Sequence, residues 1–311
     1  MQSKIVILGT GGTIAGTAAS TTDTVGYNSA QLGVAQLVAA APPLAEFAGQ
    51  AIECEQVAQL DSKDMDHATW QRLAQRAAWH LARAEVAGVV VTHGTDTLEE
   101  TAYFLHRVLA PAKPLVLTAA MRPATSLQAD GPQNLLDAVT LACNAAAHGV
   151  LVVIAGCVWA GAELRKVHTH RLDAFDGGDA GPLAQIEDGQ PRWWRNVPLC
   201  DAIGLQRVDR EAASWPRVEI VLNHVGAAGT LVDALVALGV NGLIAAGTGN
   251  GTLHRDVEAS LLRAQMQGVR VLRASRCAAG SVIGEHALPS AGRLSAVQAR
   301  IELLLELLGP A

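Results

Sequence analysis

The sequence predicts an α/β protein of two domains, each a mainly parallel sheet flanked by helices. The chain has 311 residues, more than a single hydrophobic core usually holds. Short apolar runs rich in Val and Ile alternate with stretches of helical periodicity, which is typical of parallel strands joined by helical crossovers. Hydrophobic residues make up 50% of the chain and aromatic residues only 4%, so we expect small side chains to pack between helices and sheets.

The larger, N-terminal domain is predicted over residues 1–200. The apolar run at 4–8 indicates a buried strand, and the loop at 18–30 has no hydrophobic period and carries Tyr27. Residues 177–198, rich in Gly and Pro, predict an edge hairpin. Further strands are expected at 52–60, 88–92, 115–118 and 149–155, and helices at 32–41, 67–83 and 134–147, with another ending at 109.

The smaller, C-terminal domain is predicted over residues 217–311, after a linker at 201–216. From residue 217 the alternation of strand and helix begins again, which predicts a second parallel sheet with right-handed crossovers. Strands are expected at 218–222, 242–246 and 269–273, and helices at 229–238, before 267 and at 294–308.

The net charge and the cysteines indicate which binding partners and which cellular compartment to expect. The net charge is −6 and no Lys/Arg cluster forms a basic stripe, so nucleic acid and membranes are not expected partners. The five cysteines are widely spaced without a C-x-x-C pair, which favours free thiols in a reducing compartment. No secretory apolar region precedes the first strand, so we expect a cytoplasmic protein.

The chemistry-bearing residues lie in loops that follow predicted strands, at Thr13, Ser62, Thr95 and Lys166. Because the carboxyl ends of parallel strands meet at one edge of a sheet, we expect these loops to converge there, where α/β sheets bind ligands.

The glycine-rich turn GTGGT at residues 9–13 admits three interpretations. A dinucleotide fingerprint would need Gly at the position of Ile14, and a P-loop would need a Gly-Lys pair that this turn lacks. A purely structural turn remains open. The third interpretation is an exposed, reactive Thr13 with backbone N–H donors beside it, since glycines let a substrate oxyanion approach the backbone closely.

A threonine nucleophile needs a proton path. Tyr27 on its loop could relay a proton, and an Asp96–Lys166 pair could activate Thr95. His93 is more typical of a hydrogen-bonded structural group. The His168–His170 pair could supply two metal ligands, but no third ligand lies nearby in sequence, so a metal is not expected.

Four motifs identify a resemblance. GTGGTIAG at 9–16, THGTDTLEETA at 92–102, AMRPATS at 120–126 and ADGP at 129–132 resemble signatures of the bacterial L-asparaginase/glutaminase family. The resemblance runs from the first strand to the last helix and is closest to the periplasmic-type branch, without that branch's leader.

The resemblance implies hydrolysis of L-asparagine to L-aspartate and ammonia through a covalent threonyl acyl-enzyme. Thr13 is similar to the family's nucleophile and Tyr27 to its mobile-loop tyrosine. Thr95, Asp96 and Lys166 are similar to its second catalytic group, in which the threonine positions or activates the attacking water.

The same resemblance implies the residues that bind a small amino-acid amide. The backbone N–H groups of Gly12 and Thr95 are implied as oxyanion donors, and Ser62 and Asp96 as the groups that hold the α-carboxylate and α-amino ends. Asn250 and Glu285 resemble residues contributed by a neighbouring subunit, which implies a homo-oligomer, usually a dimer of dimers.

Two departures from the family's pattern bear on specificity. Lys63 stands where a glutamine or an acidic residue commonly helps to hold the substrate ammonium group, and it is favoured in an outward orientation, paired with Asp61 or Asp64. The segment 278–292 is shorter than its counterpart, which weakens the placement of Glu285. Alternatives are therefore another amide substrate (glutamine, D-asparagine or an α-substituted asparagine) or a non-catalytic amino-acid-binding protein.

Overall fold

The computed structural model describes residues 3–41, 44 and 51–309. The chain divides into two compact units, Met1–Leu205 and Gln206–Ala311. Both units are built on mainly parallel sheets flanked by helices, which confirms the predicted fold class.

The first unit is organised on an eight-stranded sheet. Its strands are β1 (Lys4–Gly11), β2 (Ala51–Leu60), β3 (Val86–Thr92), β4 (Leu115–Thr118), β5 (Val150–Ile154), β6 (Cys157–Ala160), β9 (Ala184–Glu187) and β10 (Gln190–Trp193). The spatial order is β10-β9-β6-β5-β4-β3-β1-β2. The strands from β2 to β5 pair in parallel, and β6, β9 and β10 extend the sheet antiparallel. The predicted hairpin is formed by β9 and β10 at the edge.

A small antiparallel pair, β7 (Arg165–Lys166) and β8 (Phe175–Asp176), lies outside the large sheet. It carries the lysine that the sequence singled out. The two strands pair Lys166 with Phe175 and Arg165 with Asp176, so the backbone on which Lys166 stands is fixed by hydrogen bonding.

Four helices flank the large sheet: α1 (Val34–Ala39), α2 (His67–Leu81), α3 (Leu98–Leu109) and α4 (Gly131–Cys143). The Asp66 side chain accepts a hydrogen bond from Thr69 N at 2.7 Å and caps α2. The helix predicted over 134–147 begins at Gly131 instead, because Pro132 fits the first helical turn. It ends four residues early, since Asn144 Oδ1 accepts a hydrogen bond from Ala146 N and forms a local turn.

The core of the first unit lies between β1 and α4. Ile5 and Ile7 of β1 are fully buried and belong to the same apolar cluster as Leu135 and Val139 of α4. Burying the strand on both faces explains its continuous apolar run, and it leaves the chain after β1 to emerge at the carboxyl edge of the sheet.

The second unit contains a three-stranded parallel sheet in the order β11-β12-β13. The strands are β11 (Val218–Leu222), β12 (Gly242–Gly247) and β13 (Arg270–Ser275). A short helix, α5 (Leu205–Val208), lies where the chain divides into the two units. The later helices are α6 (Thr230–Ala237), α7 (Arg255–Met266) and α8 (Ala296–Leu307). Ser295 and Gln298 form a reciprocal cap at the start of α8. Among the helices described in the two units, none is both long and apolar enough to span a bilayer.

Candidate active site

The turns after β1 and β3 touch through two glycines. Gly12 has φ 82° and ψ −172°, a conformation that is essentially restricted to glycine. A Cβ on Gly12 would overlap the backbone of Gly94, and a Cβ on Gly94 would lie 2.5 Å from Ser62 Oγ. The turns that carry Thr13, Ser62 and Thr95 can therefore pack directly against one another only because positions 12 and 94 have no side chain.

The first threonine is hydrogen bonded to the predicted tyrosine. Thr13 begins a short 3₁₀ helix, is 7% exposed, and its Oγ1 lies 2.7 Å from Tyr27 Oη. The base of the Tyr27 loop is closed by a pair of 2.9 Å hydrogen bonds between the backbones of Thr17 and Asn28. This closure helps to place the phenol on the threonine.

The segment that follows β4 holds the Tyr27 loop from the other side. Ala124 N donates to Gly16 O at 2.9 Å, and Leu127 N donates to Thr21 O at 3.0 Å. Thr125 Oγ1 accepts from Ala18 N at 2.9 Å. The AMRPATS motif thus supports the loop that brings Tyr27 to Thr13.

The second threonine stands in a cluster with the predicted ion pair. Lys166 Nζ donates to Thr95 Oγ1 at 2.9 Å and to Asp96 Oδ1 at 2.6 Å. Because the hydroxyl oxygen of Thr95 accepts from the ammonium group, its own proton is available for another acceptor.

Ser62 connects the turn after β2 to this cluster. Its Oγ accepts from Asp96 N at 3.2 Å, and its carbonyl accepts from Thr97 Oγ1 at 2.8 Å. Lys63 Nζ lies 2.7 Å from Asp61 Oδ2, and the Lys63 side chain is 62% exposed. The lysine therefore adopts an outward, ion-paired arrangement.

A cavity of about 180 Å³ brings the two threonine groups together. Its lining includes the predicted residues Thr13, Tyr27, Thr95, Asp96 and Lys166. It also includes five residues to which the sequence assigned no substrate role: Thr24, Val25, Met121, Thr169 and His170. Met121 lies inside the third motif, so its position there was an available signal. His170 had been considered only as a metal ligand.

The histidine pair forms a local turn. His168 Nδ1 accepts hydrogen bonds from the backbone N of His170 and of Arg171, both at 3.0 Å. Within the described ranges, no group of three or more His, Cys, Asp or Glu residues is arranged to hold a metal ion.

The Gly12 N–H, which the resemblance implies as an oxyanion donor, has an acceptor within the protein. Gly12 N donates to Leu60 O at 2.9 Å, so this hydrogen is used to hold the turn after β1 against the end of β2. By contrast, the backbone N–H groups of Thr13 and Thr95 donate to no acceptor among the hydrogen bonds of the described residues. Gly12 serves the site through its close packing on Gly94 instead.

Two family descriptions match the chain, one in each part. The description "Asparaginase, N-terminal" matches residues 4–199, and "Glutaminase/Asparaginase C-terminal domain" matches residues 217–308. The chain belongs to the asparaginase family. The resemblance read from the four motifs is thereby confirmed.

The chain is similar to several asparaginases, and the similarity covers most of this chain and most of each relative. The chain is 36% identical to "L-asparaginase 2" of Escherichia coli (strain K12) over 98% of this chain and 88% of that protein. It is 36% identical to "Glutaminase-asparaginase" of Pseudomonas fluorescens biotype A over 90% and 77%. The crystal structure of a "Probable Cytoplasmic L-asparaginase" from Campylobacter jejuni is similar with a TM-score of 0.93 and 36% identity, over 99% of this chain and 96% of that one.

Two residues that asparaginase-family resemblance singled out, Asn250 and Glu285, belong to the second unit. The side-chain amide of Asn250 pairs with the peptide groups of Ile283: Nδ2 donates to its O, and Oδ1 accepts from its N, both at 2.9 Å. Glu285 is exposed two residues further on. Asn250 therefore holds the segment that carries Glu285, a contact that sequence reasoning missed.

Glu99 is a partly buried acid beside the Lys166 cluster. It lies in the first turn of α3, and its Oε2 accepts a hydrogen bond from Lys166 N at 3.3 Å. Burial raises the pKa of Glu99 to about 7, and the hydrogen bond from Lys166 opposes that rise. The charged form of Glu99 is therefore disfavoured by folding.

This partly buried carboxyl predicts a pH dependence of stability. Because the pKa of Glu99 is higher in the folded chain than its ordinary value of 4.5, its stabilising contribution is complete below about pH 4.5 and is lost as the pH rises through 7. Glu99→Gln removes this loss. We expect its free energy of unfolding to rise relative to the parent between pH 5 and pH 8, by on the order of 1–3 kcal/mol.

Urea unfolding of both proteins at the two pH values measures this change. Glu100→Gln removes a neighbouring acid from the same helical turn and should flatten the pH dependence less than Glu99→Gln, because burial raises the pKa of Glu99 more than the Glu100 charge does. Parallel pH dependences for the parent and Glu99→Gln would contradict the assignment.

Proposed function

We propose that this chain hydrolyses L-asparagine to L-aspartate and ammonia through an acyl-enzyme on Thr13. The observation that carries the proposal is the pairing of two threonines with two proton-bearing partners around one cavity. Thr13 Oγ1 lies 2.7 Å from Tyr27 Oη, and Thr95 Oγ1 lies 2.9 Å from Lys166 Nζ. An acyl transfer needs a nucleophile, a proton path and oxyanion donors, and the site can supply all three.

In the first step, Thr13 Oγ1 attacks the side-chain amide carbon. The hydroxyl proton passes through Tyr27 Oη to the amide nitrogen, the C–N bond breaks, and ammonia leaves. The negative charge on the amide oxygen is stabilised by the N–H groups of Thr13 and Thr95, whose hydrogens have no acceptor among the described residues.

In the second step, water attacks the acyl carbon and aspartate is released. Thr95 and Lys166 orient this water, since the ammonium group fixes the Thr95 hydroxyl on the cavity side. The ester bond to Thr13 breaks, and a proton returns to Thr13 Oγ1 through Tyr27.

The two ends of asparagine are assigned to separate polar groups. Ser62 Oγ accepts from Asp96 N, which leaves its hydroxyl hydrogen to donate to the α-carboxylate. Asp96 uses Oδ1 for Lys166, and its second oxygen is assigned to the α-ammonium group. Since Lys63 is exposed and paired with Asp61, its repulsion of that ammonium group is weakened.

A side-by-side assay of ammonia release tests this function. We expect the highest kcat/KM for L-asparagine, with D-asparagine and N-acetyl-asparagine slower. Glutamine is longer by one methylene, which is worth about 1–3 kcal/mol in a fitted pocket. Absence of ammonia release from every amide would favour a non-catalytic binding protein.

Glutaminase activity is the second candidate, because a similar protein is named glutaminase-asparaginase. Equal or higher kcat/KM for glutamine in the same assay would favour it.

We infer that the active form is a homo-oligomer, a dimer of dimers, and that it works in the cytoplasm without a cofactor. The resemblance supports the assembly, and the similar Campylobacter protein, which is named a probable cytoplasmic L-asparaginase, supports the compartment. A linker at 201–216 is supported by the gap between the two matched family descriptions. A monomeric mass by light scattering would contradict the assembly, and co-fractionation with an exported marker would contradict the compartment.

A further inference from the structure

His93 lies at the end of a buried hydrogen-bonded chain behind the Thr95 turn. It follows β3, and its side chain is 0% exposed. Its Nδ1 lies 2.7 Å from Gly94 O, and its Nε2 lies 2.9 Å from Thr101 Oγ1. Thr101 Oγ1 in turn accepts from Trp70 Nε1 at 2.9 Å. These hydrogen bonds thus connect α2 through α3 to the turn after β3.

The ends of this chain fix the direction of each hydrogen bond. The indole Nε1 of Trp70 can only donate, so the Thr101 hydroxyl accepts from it and keeps its own hydrogen available for His93 Nε2. The Gly94 carbonyl can only accept, so His93 Nδ1 carries the hydrogen. Burial lowers the pKa of His93 to about 4 and keeps the imidazole neutral, so its Nε2 accepts from the Thr101 hydroxyl.

The carbonyl that His93 holds belongs to the peptide whose nitrogen is that of Thr95. No cis peptide occurs among the described residues, and in a trans peptide the C=O and N–H bonds point in opposite directions. With Gly94 O turned to the buried imidazole, the Thr95 N–H points away from it. Thr95 lines the cavity, so that N–H is directed to the cavity side.

A peptide at this position needs such a restraint. Position 94 requires a glycine, because Gly12 and Ser62 pack where a Cβ would lie. A glycine tolerates both signs of φ, so its backbone is less restricted than that of other residues. A flip of the Gly94–Thr95 peptide would present a carbonyl oxygen where the oxyanion develops.

We propose that His93 is a positioning residue, which holds the Gly94–Thr95 peptide so that Thr95 N–H donates to the oxyanion. His93 does not touch the substrate and acts through the Gly94 carbonyl. The inference rests on the proposed acyl transfer and extends it to a residue outside the cavity.

Two amide substitutions separate the roles of the ring nitrogens. In His93→Asn the side-chain amide nitrogen lies near the position of Nδ1 and keeps a donor for Gly94 O. In His93→Gln it lies near the position of Nε2, and that donor is lost. We expect His93→Asn to keep kcat for L-asparagine within a few-fold and His93→Gln to lower it about ten-fold, since complete loss of an oxyanion donor costs about 10²–10³-fold.

The split between kinetic constants distinguishes positioning from stability. An oxyanion donor acts in the transition state, so KM for L-asparagine and the Kd of aspartate are expected to stay constant in His93→Gln. Thr101→Val, which leaves the imidazole without its donor, is the second variant and should lower kcat by less than His93→Gln.

Three outcomes would overturn the inference. They are an unchanged kcat in both His93→Gln and Thr101→Val, equal losses in His93→Asn and His93→Gln with both proteins folded, or losses of kcat that accompany a rise in KM and in the Kd of aspartate. If His93→Gln does not fold, an unchanged kcat in Thr101→Val overturns it. Absence of ammonia release from the parent protein would instead refute the proposed function.

Discussion

Replacing Thr13 by alanine is expected to abolish ammonia release from L-asparagine while the protein stays folded. The Thr13 hydroxyl makes one side-chain hydrogen bond, at 2.7 Å to Tyr27, so its loss costs about 1 kcal/mol of stability. Loss of the nucleophile removes the covalent step, and we expect kcat to fall at least about 10⁴-fold. Ammonia release and circular dichroism measure the two effects.

Two matched variants make this result specific. Thr13→Ser keeps the hydroxyl and should retain measurable turnover. Thr10→Ala changes a threonine in the same turn, whose Oγ1 donates to Thr92 O at 2.9 Å in the core. It should lower stability and leave turnover within a few-fold. Equal turnover in Thr13→Ala and Thr13→Ser would refute the role of Thr13.

Replacing Lys166 by methionine has the second-largest expected effect. Lys166 Nζ bonds both Thr95 Oγ1 and Asp96 Oδ1, and methionine keeps the length of the side chain without its charge or donors. We expect kcat to fall about 10²–10⁴-fold, the range of proton-transfer groups. If Lys166 serves the second step, ammonia should appear as a burst stoichiometric with enzyme, followed by slow turnover.

The acyl group itself supplies the decisive measurement. Mass spectrometry of Lys166→Met quenched during turnover should find one aspartyl group on the peptide that contains Thr13. Lys113→Met is the matched control. Lys113 precedes β4 and its Nζ donates to the carbonyl of Arg83, which precedes β3, so this lysine lies at the opposite edge of the sheet. Full turnover in Lys166→Met, or a fall without a burst and without acylated Thr13, would contradict a role in the second step.

Local patterns predicted most strands of the two larger sheets, but not β6 or the small pair β7 and β8. The apolar runs at 88–92 and 115–118 lie in β3 and β4, where side chains buried on both faces leave a continuous apolar signal. The strands predicted at 52–60 and 218–222 also form, although β2 is mostly half-buried or exposed. Helix ends were less accurate. The start of α4 at Gly131 depends on the fit of Pro132, and its end depends on a side-chain turn at Asn144, both of which lie outside the hydrophobic period.

By itself the sequence determined the fold class, the family and the candidate groups Thr13, Tyr27, Thr95 and Lys166. These depend on residue types and on short spacings, which can be identified in the sequence without a structure. That the turns of Thr13, Ser62 and Thr95 would meet at one sheet edge also followed from parallel pairing. Lys166 reaches them from β7, an antiparallel strand outside the large sheet.

Only the tertiary structure decided how those groups are held. Because β1 lies between β2 and β3, the turn after β1 gives its Gly12 N–H to Leu60 and packs on Gly94. His93, which the sequence predicts to be a structural group, is buried next to this contact and hydrogen bonds to the carbonyl of the Gly94–Thr95 peptide. Strand order and peptide orientation arise from pairing between distant segments, and no local propensity along the chain encodes them.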